Sequence, residues 1–156
     1  MQPARALKRF EQFLRARELR MTSQRTAILE LAWGTHEHFT AEDMYAWARA
    51  RDASVSRATV YRTLGLMVEG GFLATLERGH GQTLYEHILG HRHHDHMVCL
   101  QCGAIIEFVN DEIERLQETV AAKHQFTITQ HTLRLEGRCA RCTAAHGDAA
   151  AAAAAD

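Results

Sequence analysis

Proline is almost missing from this chain of 156 residues: Pro3 is the only one. A zinc deaminase needs Pro-Cys-x-x-Cys, so that enzyme class is excluded. Long apolar runs are absent too. No stretch approaches the roughly 20 residues that span a bilayer, and the first segment lacks the apolar centre of a secretory leader. A cytoplasmic location is therefore the expectation. Cysteine is scarce, confined to the pairs Cys99–Cys102 and Cys139–Cys142. In a reducing compartment such pairs bind metal or perform redox chemistry more often than they form structural disulfides. Neither sign of charge dominates, the net being −1, but the distribution is uneven. Residues 1–86 carry 12 Lys+Arg against 10 Asp+Glu, whereas residues 87–156 carry 6 against 9. Seven of the basic residues fall within 1–25, a basic arm compatible with nucleic acid.

What is abundant is histidine, and it is clustered. Five of the eleven histidines lie between His87 and His96, and the run leads straight into Cys99-Leu-Gln-Cys102. Imidazoles, carboxylates and thiolates at this density are costly to bury unless a cation binds them. The four cysteines form a CxxC…CxxC set suited to tetrahedral structural zinc, with redox-active dithiols as the competing reading. The stretch between the pairs is long, so a folded element must return the second pair to the first. Ala104–Phe108 reads as a strand, Asp111–Lys123 as a helix, and Phe126–Ile128 and Thr132–Leu135 as strands.

If His93–Val98 is a strand, its side chains alternate between faces. His94 and His96 then point one way, and His93 and Asp95 the other, which makes two sites from four adjacent residues. Each pair needs further ligands, for which His38, Glu86, Glu107, Glu114 and His131 are candidates. Mixed imidazole and carboxylate ligation suits Fe²⁺, Mn²⁺, Co²⁺ or Zn²⁺. His36, His80, His91, His124 and His146 are expected to be surface or helix-end residues.

The front half is patterned for helices. Leu7, Phe10, Phe13 and Leu14 form one apolar stripe. Thr22 is a candidate N-cap for a helix holding Ile28, Leu29, Leu31, Ala32 and Trp33, ending at Gly34. Thr40-Ala-Glu-Asp43 resembles a capping box for a third helix, with Met44, Trp47 and Ala48 inside. Ser56-Arg-Ala-Thr59 opens a fourth that ends at Gly70-Gly71, with Val60, Leu64, Met67 and Val68 as its core stripe. Arg57, Ala58, Arg62, Gly65 and Glu69 lie on the other side, with Tyr61 at its edge. Short helices ending in an Arg/Tyr-bearing helix suggest a helix-turn-helix reader. Phe72–Glu77 and Thr83–Glu86, around Gly79-His-Gly81, make a hairpin that serves as a wing.

Several segments together resemble the ferric uptake regulator (Fur) family of metal-responsive repressors, over roughly residues 5–142. They are Leu19-Arg-Met-Thr-Ser-Gln-Arg25, His38-Phe-Thr-Ala-Glu-Asp43, Ala58-Thr-Val-Tyr-Arg62, His93-His-Asp-His96, Cys99-Leu-Gln-Cys102-Gly, Ala122-Lys-His124, and His131 with the terminal CxxC. The resemblance implies an α+β chain: a winged helix-turn-helix domain over 1–86, a hinge over 87–91, and an α/β dimerisation and metal-binding domain over 92–146. Residues 147–156 are expected to be a disordered Ala-rich tail. It implies structural Zn²⁺ on Cys99, Cys102, Cys139 and Cys142. The regulatory metal falls to His38, Glu86, His94, His96 and Glu107, and an additional metal to His93, Asp95, Glu114 and His131. One extra residue after Glu86 leaves His87 as an alternative to it. Tyr61 and Arg62 match major-groove contacts and Arg20 a minor-groove contact, with Arg57 and Thr59 beside them.

The implied function is a homodimeric repressor, not an enzyme, that binds a pseudo-palindromic operator in double-stranded DNA. It is expected to sense Fe²⁺ and control metal-uptake genes. Glu107, where the peroxide-sensing branch typically has aspartate, favours iron; zinc-, manganese- and peroxide-sensing members are the alternatives. A different class is offered by His91-Arg-His93-His94-Asp95-His96, which fits the HxHxDH of di-metal hydrolases. The chain is short for that four-layer fold. A metal store would leave the Ala58–Arg62 helix unexplained.

Overall fold

The computed structural model describes residues 3–35, 37–78, 81–88 and 93–145. His36, His80, His91, His146, most of the hinge expected at 87–91 and the Ala-rich tail lie outside the described residues. The described residues fall into two compact units, divided between 88 and 93.

The first unit contains four helices and a hairpin: α1 (Pro3–Arg15), α2 (Ser23–Gly34), α3 (Ala41–Arg51), α4 (Arg57–Glu69), β1 (Leu73–Arg78) and β2 (Gln82–His87). Each boundary has a local cause. Pro3 sits in the first helical turn, where its missing N–H removes no hydrogen bond. The hydroxyls of Thr22, Thr40 and Ser56 accept from the backbone N–H of Arg25, Asp43 and Thr59. At Thr40 the box is reciprocal, because the Asp43 carboxylate accepts from the Thr40 N–H at 2.8 Å. Helix α4 stops at Gly70-Gly71, where Gly71 takes φ +67° and a side chain on Gly70 would strike the Phe72 ring.

The inward faces of the helices meet in one core. Phe10, Leu14, Ile28, Leu29, Met44, Val60, Leu64 and Met67 are fully buried there. Phe72, at the entrance to β1, closes the core with its ring edge-on to Phe10 at 5.1 Å. Trp47 departs from the expected inner position. It is 36% exposed, with its ring tilted 55° to that of Phe39 at 5.7 Å, because Met44 and Ala48 already fill the buried side of α3.

The wing is an antiparallel pair with Leu73 opposite His87 and Arg78 opposite Gln82. A bridge ties it to Phe39, two residues before α3: Phe39 and Tyr85 exchange backbone hydrogen bonds of 3.1 and 2.8 Å. His87 completes β2 and the Ile88 N–H donates to the Phe72 carbonyl, so both belong to this unit.

The second unit holds β3 (Asp95–Cys99), β4 (Ile105–Phe108), α5 (Asp111–Lys123) and β5 (Arg134–Gly137), with a helical turn over 140–145. Its sheet has the order β4-β3-β5, with β4 antiparallel and β5 parallel to β3. The parallel pair requires a crossover, and α5 with its flanking loops supplies it. The Asn110 side chain caps α5 by accepting from the N–H groups of Glu112 and Ile113.

Three strand expectations need correction. Strand β3 begins at Asp95, so His93 and His94 precede it. The last strand is Arg134–Gly137, two residues later than expected, because its pairing with β3 sets its position. Residues 126–128 form no strand. No described strand pairs with them, and the chain reaches Phe126 from a left-handed turn at Gln125, φ +53°.

This unit has little apolar interior. Val98, Cys99 and Cys142 are its only buried hydrophobic residues among those described, and no described side chain of α5 is fully buried.

Candidate metal centres and nucleic-acid interface

In the first unit, the Phe39–Tyr85 bridge decides which side chains meet. Antiparallel pairing at 39 and 85 sets His38 opposite Glu86, and His38 Nε2 stands 3.3 Å from Glu86 Oε2. His87 leaves the strand on the other face. Its ring stacks on Trp33 at 5.3 Å and is 8% exposed. Of the two candidates left open by the sequence, Glu86 is therefore the one beside His38.

In the second unit, β-pairing does the same for the histidine run. His96 faces Glu107 across the ladder. His94, two residues earlier, comes to the same side, with its ring 4.9 Å from that of His96 and its Nε2 3.9 Å from Glu107 Oε2. Asp95 projects oppositely. There His93, Asp95, Glu114 and His131 each offer a ligand atom within 4.8 Å of the others. Asp95 Oδ1 lies 3.1 Å from His93 Nε2, and His131 Nε2 lies 3.2 Å from Glu114 Oε2. Asp95 Oδ2, Glu114 Oε1 and His131 Nε2 are buried and make no hydrogen bond. Buried polar atoms left this way are costly. Two carboxylates and two imidazoles converge here with only the His93–Asp95 hydrogen bond between them, and the three unpartnered atoms fit a divalent cation, as their ligand types also do.

The four cysteines are brought together by Gly103, at φ +67°, and by the turn that begins near Cys139. All four sulfurs lie within 4.8 Å of one another, and none is in a disulfide. Cys102 Sγ and Cys139 Sγ are 3.7 Å apart. Thiolates about 2.3 Å from a tetrahedral zinc stand about 3.8 Å from each other, so the spacing fits. The Cys139 N–H donates to Cys99 Sγ at 3.3 Å. This bond and the N–H groups of Cys102 and Gln101 bring the Cys99 thiol down to about 6. Cys142 moves oppositely, pushed up to about 12 by its hydrogen bond with Cys102 and by burial. Arg141, not foreseen from the sequence, pairs with Cys102, and its guanidinium is held in the charged form by the thiolates.

On the outer side of α4, Arg57, Tyr61 and Arg62 are exposed, Tyr61 by 50%. Thr59 is half-buried, with its hydroxyl 3.0 Å from Ser56 Oγ and its carbonyl accepting from the Thr63 hydroxyl, so it serves the helix start. Arg20 is exposed, and its carbonyl accepts from the Arg25 guanidinium. Two further residues on α3 join this face. Glu42 accepts from Arg57 Nε with both oxygens at 3.1 Å, and the Tyr45 ring lies 4.3 Å beneath the Arg57 guanidinium. Only long-range contact reveals them; their spacing within α3 carries no such signal.

A winged helix-turn-helix unit followed by an α/β unit rich in metal ligands defines a class of transcription regulator, not of enzyme. The family model described as the ferric uptake regulator family matches residues 16–136. The ferric uptake regulation protein of Campylobacter jejuni is 39% identical over 138 residues, covering 87% of each chain. The structure of the Helicobacter pylori ferric uptake regulator, described as revealing three functional metal binding sites, superposes with a TM-score of 0.81. It is 29% identical and covers 92% of this chain and 95% of its own. The Vibrio cholerae regulator, whose structure shows rearrangement of its DNA-binding domains, gives 0.68 at 36% identity, covering 83% and 98%. The chain belongs to the ferric uptake regulator family. The hydrolase reading of the HxHxDH run falls with this membership. Within the run, moreover, His93 and Asp95 turn to one group of ligands while His94 and His96 turn to another.

Proposed function

We propose that this protein is a cytoplasmic, homodimeric repressor that binds a pseudo-palindromic DNA operator when Fe²⁺ is available and controls metal-uptake genes. The observation that carries this reading is the division of ligands between the two units. His38 and Glu86 belong to the winged unit, and His94, His96 and Glu107 to the second. Neither set alone fills a coordination sphere. An Fe²⁺ ion supplies the charge that both sets need, so metal favours whichever arrangement lets both reach it. In this reading the reader extends through Ile88, the hinge expected at 87–91 is confined to the residues after it, and 92–146 are the dimerisation and metal-binding domain.

The remaining roles follow by chemistry. Cys99, Cys102, Cys139 and Cys142 hold structural zinc, and His93, Asp95, Glu114 and His131 an additional divalent ion. A unit of this size with so small an apolar interior needs such staples. A second copy is a further one, because Met97, Ile106 and Leu135 form an exposed apolar row across the sheet. Two copies of α4 then address two half-sites, with Tyr61 and Arg62 at base edges and Arg20 in the minor groove. Iron as the sensed metal is supported by the name of the Campylobacter relative and by Glu107.

The test is selection from randomised duplexes by the full-length protein, at buffered free Fe²⁺ and after chelation. An inverted repeat should be enriched with metal alone. Equal affinity with and without regulatory metal would refute the switch, and no enrichment would refute DNA reading. Repeating the titration with Mn²⁺, Zn²⁺ and Co²⁺ assigns the metal. His96→Ala should abolish the metal response while leaving a folded, zinc-containing dimer.

A further inference from the structure

The Arg57 guanidinium, on the face offered to DNA, is already occupied. Its Nε donates to both oxygens of Glu42 at 3.1 Å, and its plane lies 4.3 Å over the Tyr45 ring. The Tyr61 hydroxyl points to the same carboxylate at 3.5 Å. Tyr45 is fixed in turn, since its hydroxyl accepts from Arg49 at 3.1 Å. Glu42, Tyr45 and Arg49 succeed one another along one stripe of α3, and Arg57 and Tyr61 along one stripe of α4. A carboxylate therefore stands between two residues of the proposed reading surface, where a polyanion must approach.

We infer that Glu42 sets the selectivity of this surface, by holding Arg57 away from phosphates until base contacts release it. The inference rests on the DNA-binding reading above. Its basis is an exchange of partners. Non-specific affinity comes almost wholly from phosphate neutralisation. For Arg57, trading Glu42 for a phosphate replaces one anion by another and strands the carboxylate against the duplex. The trade yields little, so on random sequence Arg57 stays with Glu42. On a cognate sequence the base contacts of α4 hold the helix close enough for Arg57 to leave. Exposed ion pairs shift equilibria by only roughly twofold to fivefold. That is sufficient for a discriminator repeated in each copy.

The test compares wild type, Glu42→Gln, Arg57→Gln and the double variant as full-length, metal-loaded protein. Each is titrated against a random-sequence duplex and against a duplex that the wild type enriches, over a series of salt concentrations. Glu42→Gln should tighten random-duplex binding by about threefold per copy and steepen its salt dependence by about one released counterion. On the enriched duplex both quantities should change less, so selectivity falls. In the Arg57→Gln background the gain should vanish, which a merely structural role for Glu42 does not predict. Random-duplex affinity that is unchanged or weaker, or an equal gain without Arg57, overturns the inference while leaving the repressor reading intact. A wild type that enriches no duplex overturns both.

Discussion

Glu86 and His87 are adjacent on β2, yet they serve opposite faces of the winged unit. Glu86 meets His38 at 3.3 Å, while His87 is buried with its ring stacked 5.3 Å from Trp33. The two should separate by mutation. Glu86→Ala should leave the melting temperature nearly unchanged and abolish metal-dependent DNA binding. His87→Ala should lower stability by about 1–2 kcal/mol through lost aromatic packing, and keep the metal response at temperatures where it is folded. Thermal melts with operator titrations check this; the reverse pattern would make His87 the ligand.

Asp95 is a buried carboxylate, 1% exposed, with one oxygen lacking any hydrogen bond among the described residues. Adding Mn²⁺ to protein that retains only its cysteine-bound zinc should raise the melting temperature, because the ion binds the folded state alone. Asp95→Asn should lose this response and one metal per copy. Before metal is added, it should be at least as stable as wild type, since a neutral amide needs no counter-charge. Elemental analysis showing unchanged metal content would remove Asp95 from the ligand set.

The cysteine cluster has a pH signature. In zinc-free, reduced protein the Cys99 thiol ionises at about 6, against an ordinary 9.0. Its contribution to stability is fully present above pH 9 and is lost as pH falls through 6. Cys142 has the opposite sign: raised to about 12, it favours the folded state below pH 9 and ceases to do so as pH rises through 12. Zinc requires all four thiolates. At pH 7.5, calorimetry in buffers of different ionisation enthalpy should therefore count fewer than four protons released per zinc. A count of four would show that Cys99 is not ionised beforehand.

Met97 lies between Ile106 and Leu135 in the sheet register, and the three are 38%, 50% and 44% exposed. Ile106→Asp should convert the proposed dimer to monomer by sedimentation and weaken operator binding at least tenfold, because two half-sites are no longer addressed together. Zinc content should be retained. A variant that remains dimeric would move the interface elsewhere.

The helices of the first unit were legible because their signals are local. The caps at Thr22, Thr40 and Ser56 involve partners three residues away, and the apolar stripes repeat with the helical period. Strands were less so. Residues 126–128 have the composition of a strand, but a strand exists only with a paired neighbour, and no described strand pairs with them. The same gap hid Glu42 and Tyr45, whose partner Arg57 lies on the next helix.

Residue types and spacing were enough to specify a set of four cysteines, two groups of histidine and carboxylate, and a helix bearing Arg57, Tyr61 and Arg62. Those properties depend on covalent order and on backbone period alone. Which carboxylate stands beside His38, where β5 engages β3, and what holds Arg57 were decided by the assembled units. Contacts between distant segments depend on register and packing, and no local pattern encodes them.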